Sequence, residues 1–353
     1  MPESNYAASE EQVSDFVTRP DAPDPEAYID PDDANDDADS AFGGSVGSDE
    51  YTASLTSSVL DYKYENGRRY HAYHAGEYII PNDELEQERM DLHHHIHRLV
   101  LSGALFRAPI KSDPNRVLDI GTGTGIWAID FADEFPSAVV IGTDLSPIQP
   151  SWVPPNCIFE IDDCESDWPD EWARQPFDFI HARSLAGSIR DHSRLLSQAF
   201  DNLAPGGWME MQDFEVWIHT DDDTIQKAKW IRQWQEQLEE ASIKFGKRMN
   251  VASEYKGWMI KAGFEDVTDD IYKCPLSPWP RDPKMKELGR TEQVAMLDSV
   301  ESYTLALFTR VLGWSNAETQ VLIAGVRKEI LDLSIHIYGK IHFAYGRKPL
   351  SAA

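Results

Sequence analysis

The sequence predicts an α/β protein: a mostly parallel sheet with helices on both faces. Two observations carry this. Between residues 116 and 213, short apolar runs alternate with amphipathic stretches, reading as strands at 116–121, 138–144, 157–163, 177–183 and 207–213 and helices at 125–134 and 192–203. Parallel neighbours need crossovers, and helices laid on the sheet supply them. Second, the first strand runs straight into Gly121-Thr122-Gly123-Thr124-Gly125, and nineteen residues later another apolar run ends on Asp144. Glycines let backbone N–H groups approach a ligand closely, and a carboxylate at the end of the next strand is placed to grip two ribose hydroxyls.

The elements divide the 353 residues into three parts. Residues 1–50 hold fifteen acidic side chains against the single base Arg19, and so carry −14 of the formal −29. With few large apolar residues to offset the entropy of ordering, they read as a disordered, solvated acidic tail. Residues 51–115 read as an N-terminal lid and helix. A polar, tyrosine-rich stretch turns at Asn66-Gly67, and a helix starts at Asn82, which stands where a cap is needed, and runs through His93, His94, His95 and His97. Residues 116–349 form the main domain. Pro205-Gly206-Gly207 stops one helix and opens the fifth strand at once. Helical insertions follow at 223–262 and 284–332, with Trp230 and Trp234 one turn apart, Gly263 ending a helix over 252–262, and a strand at 264–274 between them. Ile337, Ile341, Phe343 and Tyr345 then mark a half-buried final strand.

Charge excludes one class of partner. Without the acidic segment the body still carries −15, which argues against holding a nucleic-acid backbone through net charge. Cys157, Cys164 and Cys274 are too few and too scattered for a disulfide framework, and no zinc spacing occurs. No apolar run of membrane-spanning length, no basic-then-apolar leader and no Asn-x-Ser/Thr acceptor is present. A cytoplasmic or nuclear protein is expected, with no membrane.

The glycine spacing then narrows the ligand. A dinucleotide site wants Gly-x-Gly-x-x-Gly so that a helix N-terminus can take a pyrophosphate. Here the third glycine comes one residue early, and no basic side chain stands nearby in the sequence. A ligand with ribose and adenine but no phosphate fits better. Asp162-Asp163-Cys164 closes the third strand where a carboxylate can accept the adenine amino hydrogen. Phe177 to Arg183 is a fourth strand with a polar end, and Leu203 to Trp208 is a glycine-rich approach to the fifth.

These segments together resemble the class I S-adenosylmethionine-dependent methyltransferases, whose sheet has seven strands in a Rossmann-like arrangement. Asn66-Gly67-Arg68-Arg69-Tyr70-His71, Pro81-Asn82-Asp83-Glu84 with Glu88-Arg89, Phe177 to Ser184, and Gly207-Trp208-Met209-Glu210-Met211-Gln212 further resemble the fungal LaeA-like members, over roughly residues 60–349. The resemblance implies S-adenosyl-L-methionine as cofactor and a role in secondary metabolism. That role is either methylation of a small-molecule intermediate or regulation in a nuclear complex with a velvet-type protein. It also implies that residues 62–89 fold over the cofactor, with Tyr70 near the methionine moiety.

The cofactor-binding candidates are Tyr70, Asp119, Gly121, Thr122, Gly123, Gly125, Asp144, Leu145, Asp162, Asp163, Cys164 and His181. Asp119 has an alternative role in ordering the glycine loop. Methyl transfer from a sulfonium releases a neutral thioether, so the leaving group needs no acid, and alignment supplies most of the rate. A hydroxyl or amine acceptor still needs a base. His181 and Asp213, at the ends of the fourth and fifth strands, are the catalytic candidates, and Arg183 is a candidate for orienting an acidic acceptor. His93 and His97 lie one helical turn apart, but zinc needs more convergent ligands than they provide, so no metal is expected. Trp230 and Trp234 read as packing. The competing enzyme class, a nicotinamide oxidoreductase, would require dinucleotide binding.

Overall fold

The computed structural model describes residues 16–17, 19–32, 62–71, 76 and 78–350. The stretch read as polar and tyrosine-rich contains a hairpin, β1 (Lys63–Glu65) and β2 (Arg68–Tyr70). Asn66 and Gly67 turn it at φ 53° and 81°, the left-handed pair that tight hairpins demand. Helix α1 (Glu84–Val100) follows, capped by Asp83 rather than by the expected Asn82. The Asp83 carboxylate accepts the Glu86 N–H at 3.1 Å and the Arg68 guanidinium at 2.6 and 2.9 Å. A cap and an ion pair on one carboxylate fasten the hairpin to the positive end of α1.

The alternating section then runs β3 (Arg116–Ile120), α2 (Ile126–Glu134), β4 (Val139–Asp144), β5 (Cys157–Ile161), the short α3 (Asp170–Arg174), β6 (Phe177–Arg183), α4 (His192–Asn202) and β7 (Leu203–Phe214). After it come α5 (Lys229–Phe245), α6 (Tyr255–Ala262), β8 (Glu265–Pro275), α7 (Pro283–Leu307), α8 (Asn316–Ile330) and β9 (Tyr338–Arg347). Seven strands form one sheet in the order β5-β4-β3-β6-β7-β9-β8, parallel except for β9, which runs antiparallel to both neighbours. The expected strands all occur. In the second helical insertion, α7 leaves α-geometry at Phe308, where a π-helical turn continues to Leu312.

Alternation along each strand feeds two cores. Val117 and Phe179 face one layer with Phe106, Trp127 and Phe131. Their sequence neighbours Leu118 and Ile180 face the other, with Leu195, Leu196, Tyr255 and Met259. The insertions build a third core, in which Ile231, Trp234 and Leu238 of α5 meet Val300 of α7 and Leu322, Ile323 and Val326 of α8. Among the described residues no helix is long and apolar enough to cross a membrane.

The acidic segment differs from a solvated tail wherever it is described. Residues 19–32 lie along the body: Ile29 is buried with Trp279 and Tyr338, the Arg19 guanidinium sits 4.4 Å from the centre of the Phe106 ring, and Lys273 donates to the Ala27 carbonyl at 2.8 Å. Backbone bonds from Asp32 to Trp279 and from Arg281 to Asp30, both 2.8 Å, fix the register. A single apolar anchor with backbone pairing on either side suffices to hold a strand-like segment that composition alone reads as unfoldable. The rest of residues 1–50 lies outside the described residues.

Candidate functional site

The carboxyl ends of β3, β4 and β6 open onto a cavity of about 820 Å³, inside the roughly 300–1,000 Å³ range of small-molecule sites. Its floor is the loop after β3. Gly121, Gly123 and Gly125 take φ of 64°, 58° and 82°, a succession that side-chain-bearing residues adopt only with strain. Gly125 begins α2 beneath the loop and is not on the cavity wall; a Cβ there would stand 2.4 Å from the Phe159 ring. Gly121, Thr122 and Gly123 do line the cavity.

Asp144 ends β4 at the edge of this loop. One carboxylate oxygen accepts the Gly123 N–H at 2.8 Å and the other the Ser146 N–H at 2.9 Å. An ionised carboxylate has about four acceptor positions, so each oxygen keeps capacity for a further donor. Burial pushes its pKa up to about 6, against the pull of the two N–H groups. Leu145 lies beside it on the wall, and Asp162, Asp163 and Cys164 close the same end of the cavity.

Besides Gly125, four expected site residues stand elsewhere: Tyr70, Asp119, His181 and Asp213. Tyr70 is buried in the insertion core with its ring under the Arg310 guanidinium, 4.6 Å away, and is not on the wall; Tyr78, from the same segment, is. His181 is fully buried behind the glycine loop, stacked on Trp127 at 3.7 Å, with Nδ1 2.7 Å from the Asp119 carboxylate. Asp119 also accepts the Thr122 hydroxyl at 2.6 Å. Its place is therefore the loop-ordering one, and His181 is sealed from any acceptor in the cavity. Asp213 is held by the Leu185 N–H at 3.1 Å and the Tyr255 hydroxyl at 2.7 Å, and burial pushes its pKa to about 7. A carboxylate so occupied orders the turn after β6 and is poorly placed to take a proton from a ligand.

Other residues arrive by tertiary folding. Helix α1 contributes Arg89, Met90 and His93, and α7 contributes Tyr303. Arg89 is fixed by Glu86 at 2.6 Å and Ser299 at 3.3 Å, a charge kept buried because it is paired. Arg183 reaches the wall as a half-buried guanidinium 3.2 Å from His94 Nδ1, and loss of solvent lowers its pKa to about 10. Basic side chains do therefore line the cavity, contrary to the reading of the local sequence. At the Asp162–Cys164 end, however, Arg194 is engaged by Asp167 at 2.6 Å and Lys247 by Glu165 at 3.4 Å. Arg89 was legible only as part of a motif, and Tyr303 carried no signal at all. The histidine cluster disperses: His94 meets Asp130, His97 bonds the His93 carbonyl, and only His93 borders the cavity.

A strand-end carboxylate beside a three-glycine loop, under a seven-stranded sheet with one antiparallel strand, defines a class I methyltransferase site. Residues 92–269 match the family model described as a methyltransferase domain. The chain is 43% identical to the methyltransferase pytC of Aspergillus terreus, over 86% of this chain and 94% of that one. It is 36% identical to the secondary metabolism regulator LAE1 of Cochliobolus heterostrophus, over 81% and 94%, and 35% identical to the probable methyltransferase tdiE of Emericella nidulans, over 75% and 83%. The chain belongs to this family of LaeA-like, S-adenosylmethionine-dependent methyltransferases. Its residues fit the cofactor: the wall at Gly121 and Gly123 leaves backbone exposed, Asp144 keeps acceptor capacity for a diol, and the cavity extends well beyond both.

Proposed function

We propose that the protein methylates a small molecule in fungal secondary metabolism, with Gly121, Gly123 and Asp144 holding the adenosyl part of the cofactor and Asp162, Asp163 and Cys164 its base. The observation that carries this reading is the pairing of both Asp144 oxygens with loop and strand-end N–H groups at 2.8 and 2.9 Å, which fixes the carboxylate for a ribose. S-adenosylmethionine supplies an electrophilic methyl on a sulfonium that departs as a neutral thioether. The protein's part is to align and to exclude water. The described residues of the 62–89 segment, tied down by Arg68 and Asp83, close one side of the cavity as a lid, with Tyr78 and Arg89 on its inner surface. The likeness to pytC and tdiE, both described as methyltransferases, favours catalysis over a purely structural use of the fold.

A second reading is favoured by the 36% identity to a secondary metabolism regulator: the chain works in the nucleus with a velvet-type protein rather than on a metabolite in the cytoplasm. One comparison separates them. Extracts from strains with and without the gene are compared by mass spectrometry, and partners are recovered from the same cells. The enzyme reading expects one product heavier by a methyl group; the regulatory reading expects broad changes in many metabolites and a stably recovered protein partner. Tight binding of NAD with no binding of S-adenosylhomocysteine would remove both.

A further inference from the structure

Behind the wide cavity lies a second chamber, of about 90 Å³, that belongs to neither the glycine loop nor the Asp144 clamp. His93, Ser184 and Tyr303 border both spaces and so form the doorway between them. Ser184 holds φ at 57°, a strained value for a residue with a side chain, and such strain collects where a ligand is handled. The chamber walls are apolar, drawn from Ile218, Trp234, Leu238, Leu276 and Met296.

Three carboxylates also face the chamber, and two are already engaged. Asp213 is bonded by Leu185 and Tyr255, and Glu215 by His219 at 2.6 Å and His342 at 3.0 Å. Glu292 is different. It is 2% exposed, its Oε2 is buried with no hydrogen-bond partner, and no described residue donates to it. Leaving such a group unpaired is costly, and the unpaired oxygen marks where a group from outside the chain can bond. Burial pushes its pKa up to about 8, so at neutral pH it is mostly an uncharged carboxyl. An apolar room whose one ionised carboxylate, Glu215, is already paired by His219 and His342 suits an uncharged guest, because an ion would lose its hydration with no free counter-charge.

We propose that this chamber seats the methyl acceptor, and that the acceptor is an uncharged, largely apolar small molecule carrying an oxygen that hydrogen-bonds Glu292. The proposal rests on the methyltransferase reading of the adjoining cavity. The chamber is smaller than the roughly 150 Å³ apolar cavity that accommodates benzene, so the acceptor places only one end inside. The remainder passes the doorway, bringing its reacting atom into the wide cavity.

The test uses the full chain saturated with S-adenosylhomocysteine and phenol as probe, with benzoate and benzylamine as charged counterparts, read by ligand-observed NMR. Phenol is expected to bind the wild type, and both charged probes at least tenfold more weakly. Met296→Trp, which fills the chamber, and Glu292→Leu, which removes its polar partner, should each weaken phenol at least tenfold while calorimetric affinity for S-adenosylhomocysteine stays within twofold. Either variant suffices if the other does not fold. No phenol binding, equal binding of the charged probes, or phenol binding untouched by the folded variants overturns the chamber assignment. Failure of S-adenosylhomocysteine to bind the wild type overturns the methyltransferase reading instead.

Discussion

The proposed cofactor site depends most on one side chain, Asp144. Charge-assisted bonds contribute about 1.5–3 kcal/mol each, so Asp144→Ala should weaken S-adenosylhomocysteine at least tenfold by calorimetry. The residue also sets a pH dependence. With its pKa raised to about 6 in the free protein, the accepting carboxylate is lost as pH falls through 6, and affinity should drop there and level off above 7. Asp144→Asn should flatten that profile while keeping the weaker affinity throughout. Gly125 tests the loop separately from the ligand. With φ of 82° and the Phe159 ring 2.4 Å from where a Cβ would stand, Gly125→Ala should destabilise the fold by more than about 1 kcal/mol, seen as a lower urea midpoint. Both positions were legible from spacing, because backbone conformation and strand-end placement are local properties.

The strand ends behave differently, since each element decides what its last side chain meets. His181 stands near the end of β6, which closes at Arg183, yet it turns into the layer between Trp127 and Asp119 instead of toward the ligand. Burial lowers the His181 pKa and keeps the ring neutral, so Asp119→Asn should reduce stability by about 1.5–3 kcal/mol, the scale of a hydrogen bond to a charged group, measured by chemical denaturation. His181→Phe, which keeps the stack but not the hydrogen bond to Asp119, should leave a smaller deficit of cofactor affinity than Asp144→Ala. At the other side of the sheet, Glu215 just past β7, Asp269 on β8 and His342 on the β9 strand between them come together, with His342 bonding Glu215 at 3.0 Å and Asp269 at 2.9 Å. Burial works against charging His342, but the bonds to Asp269 and Glu215 prevail and raise its pKa to about 9. Glu215, despite its own burial, is held down to about 2 by bonds from His219 and His342. A raised histidine gives stability that is complete below its ordinary 6.5 and is lost as pH climbs through 9; a depressed glutamate gives stability complete above 4.5 and lost as pH falls through 2. The cluster's full contribution thus lies between about pH 4.5 and 6.5. In urea titrations, the deficit of His342→Gln against wild type should be largest in that window and shrink by pH 9.5.

Across the whole molecule, the acidic segment and the helical insertions decide how the sheet is enclosed. Ile29 buries its side chain against Trp279 and Tyr338, and full burial of such a group contributes about 1.5–3 kcal/mol. Removing residues 1–15 should leave the melting temperature unchanged, whereas removing residues 1–32 should lower it by several degrees. Differential scanning calorimetry on the two truncations distinguishes a docked segment from a solvated one. The reach of the fold is visible in the site as well: α1 and α7, far apart in the chain, meet across it through Arg89 with Ser299 and Glu86 with Ser302. What the sequence determined by itself was the α/β alternation, the glycine loop, Asp144 and the Asp162-Asp163-Cys164 edge, because period, backbone conformation and strand termini are set within a few residues. Only the tertiary structure decided that Tyr78, Arg89, His93 and Tyr303 line the cavity, that Tyr70 and His181 do not, that residues 19–32 dock, and that Glu292 is left unpaired in a chamber of its own. Those outcomes depend on which surfaces the insertions press together, and burial and pairing between distant segments leave no periodic trace in the chain.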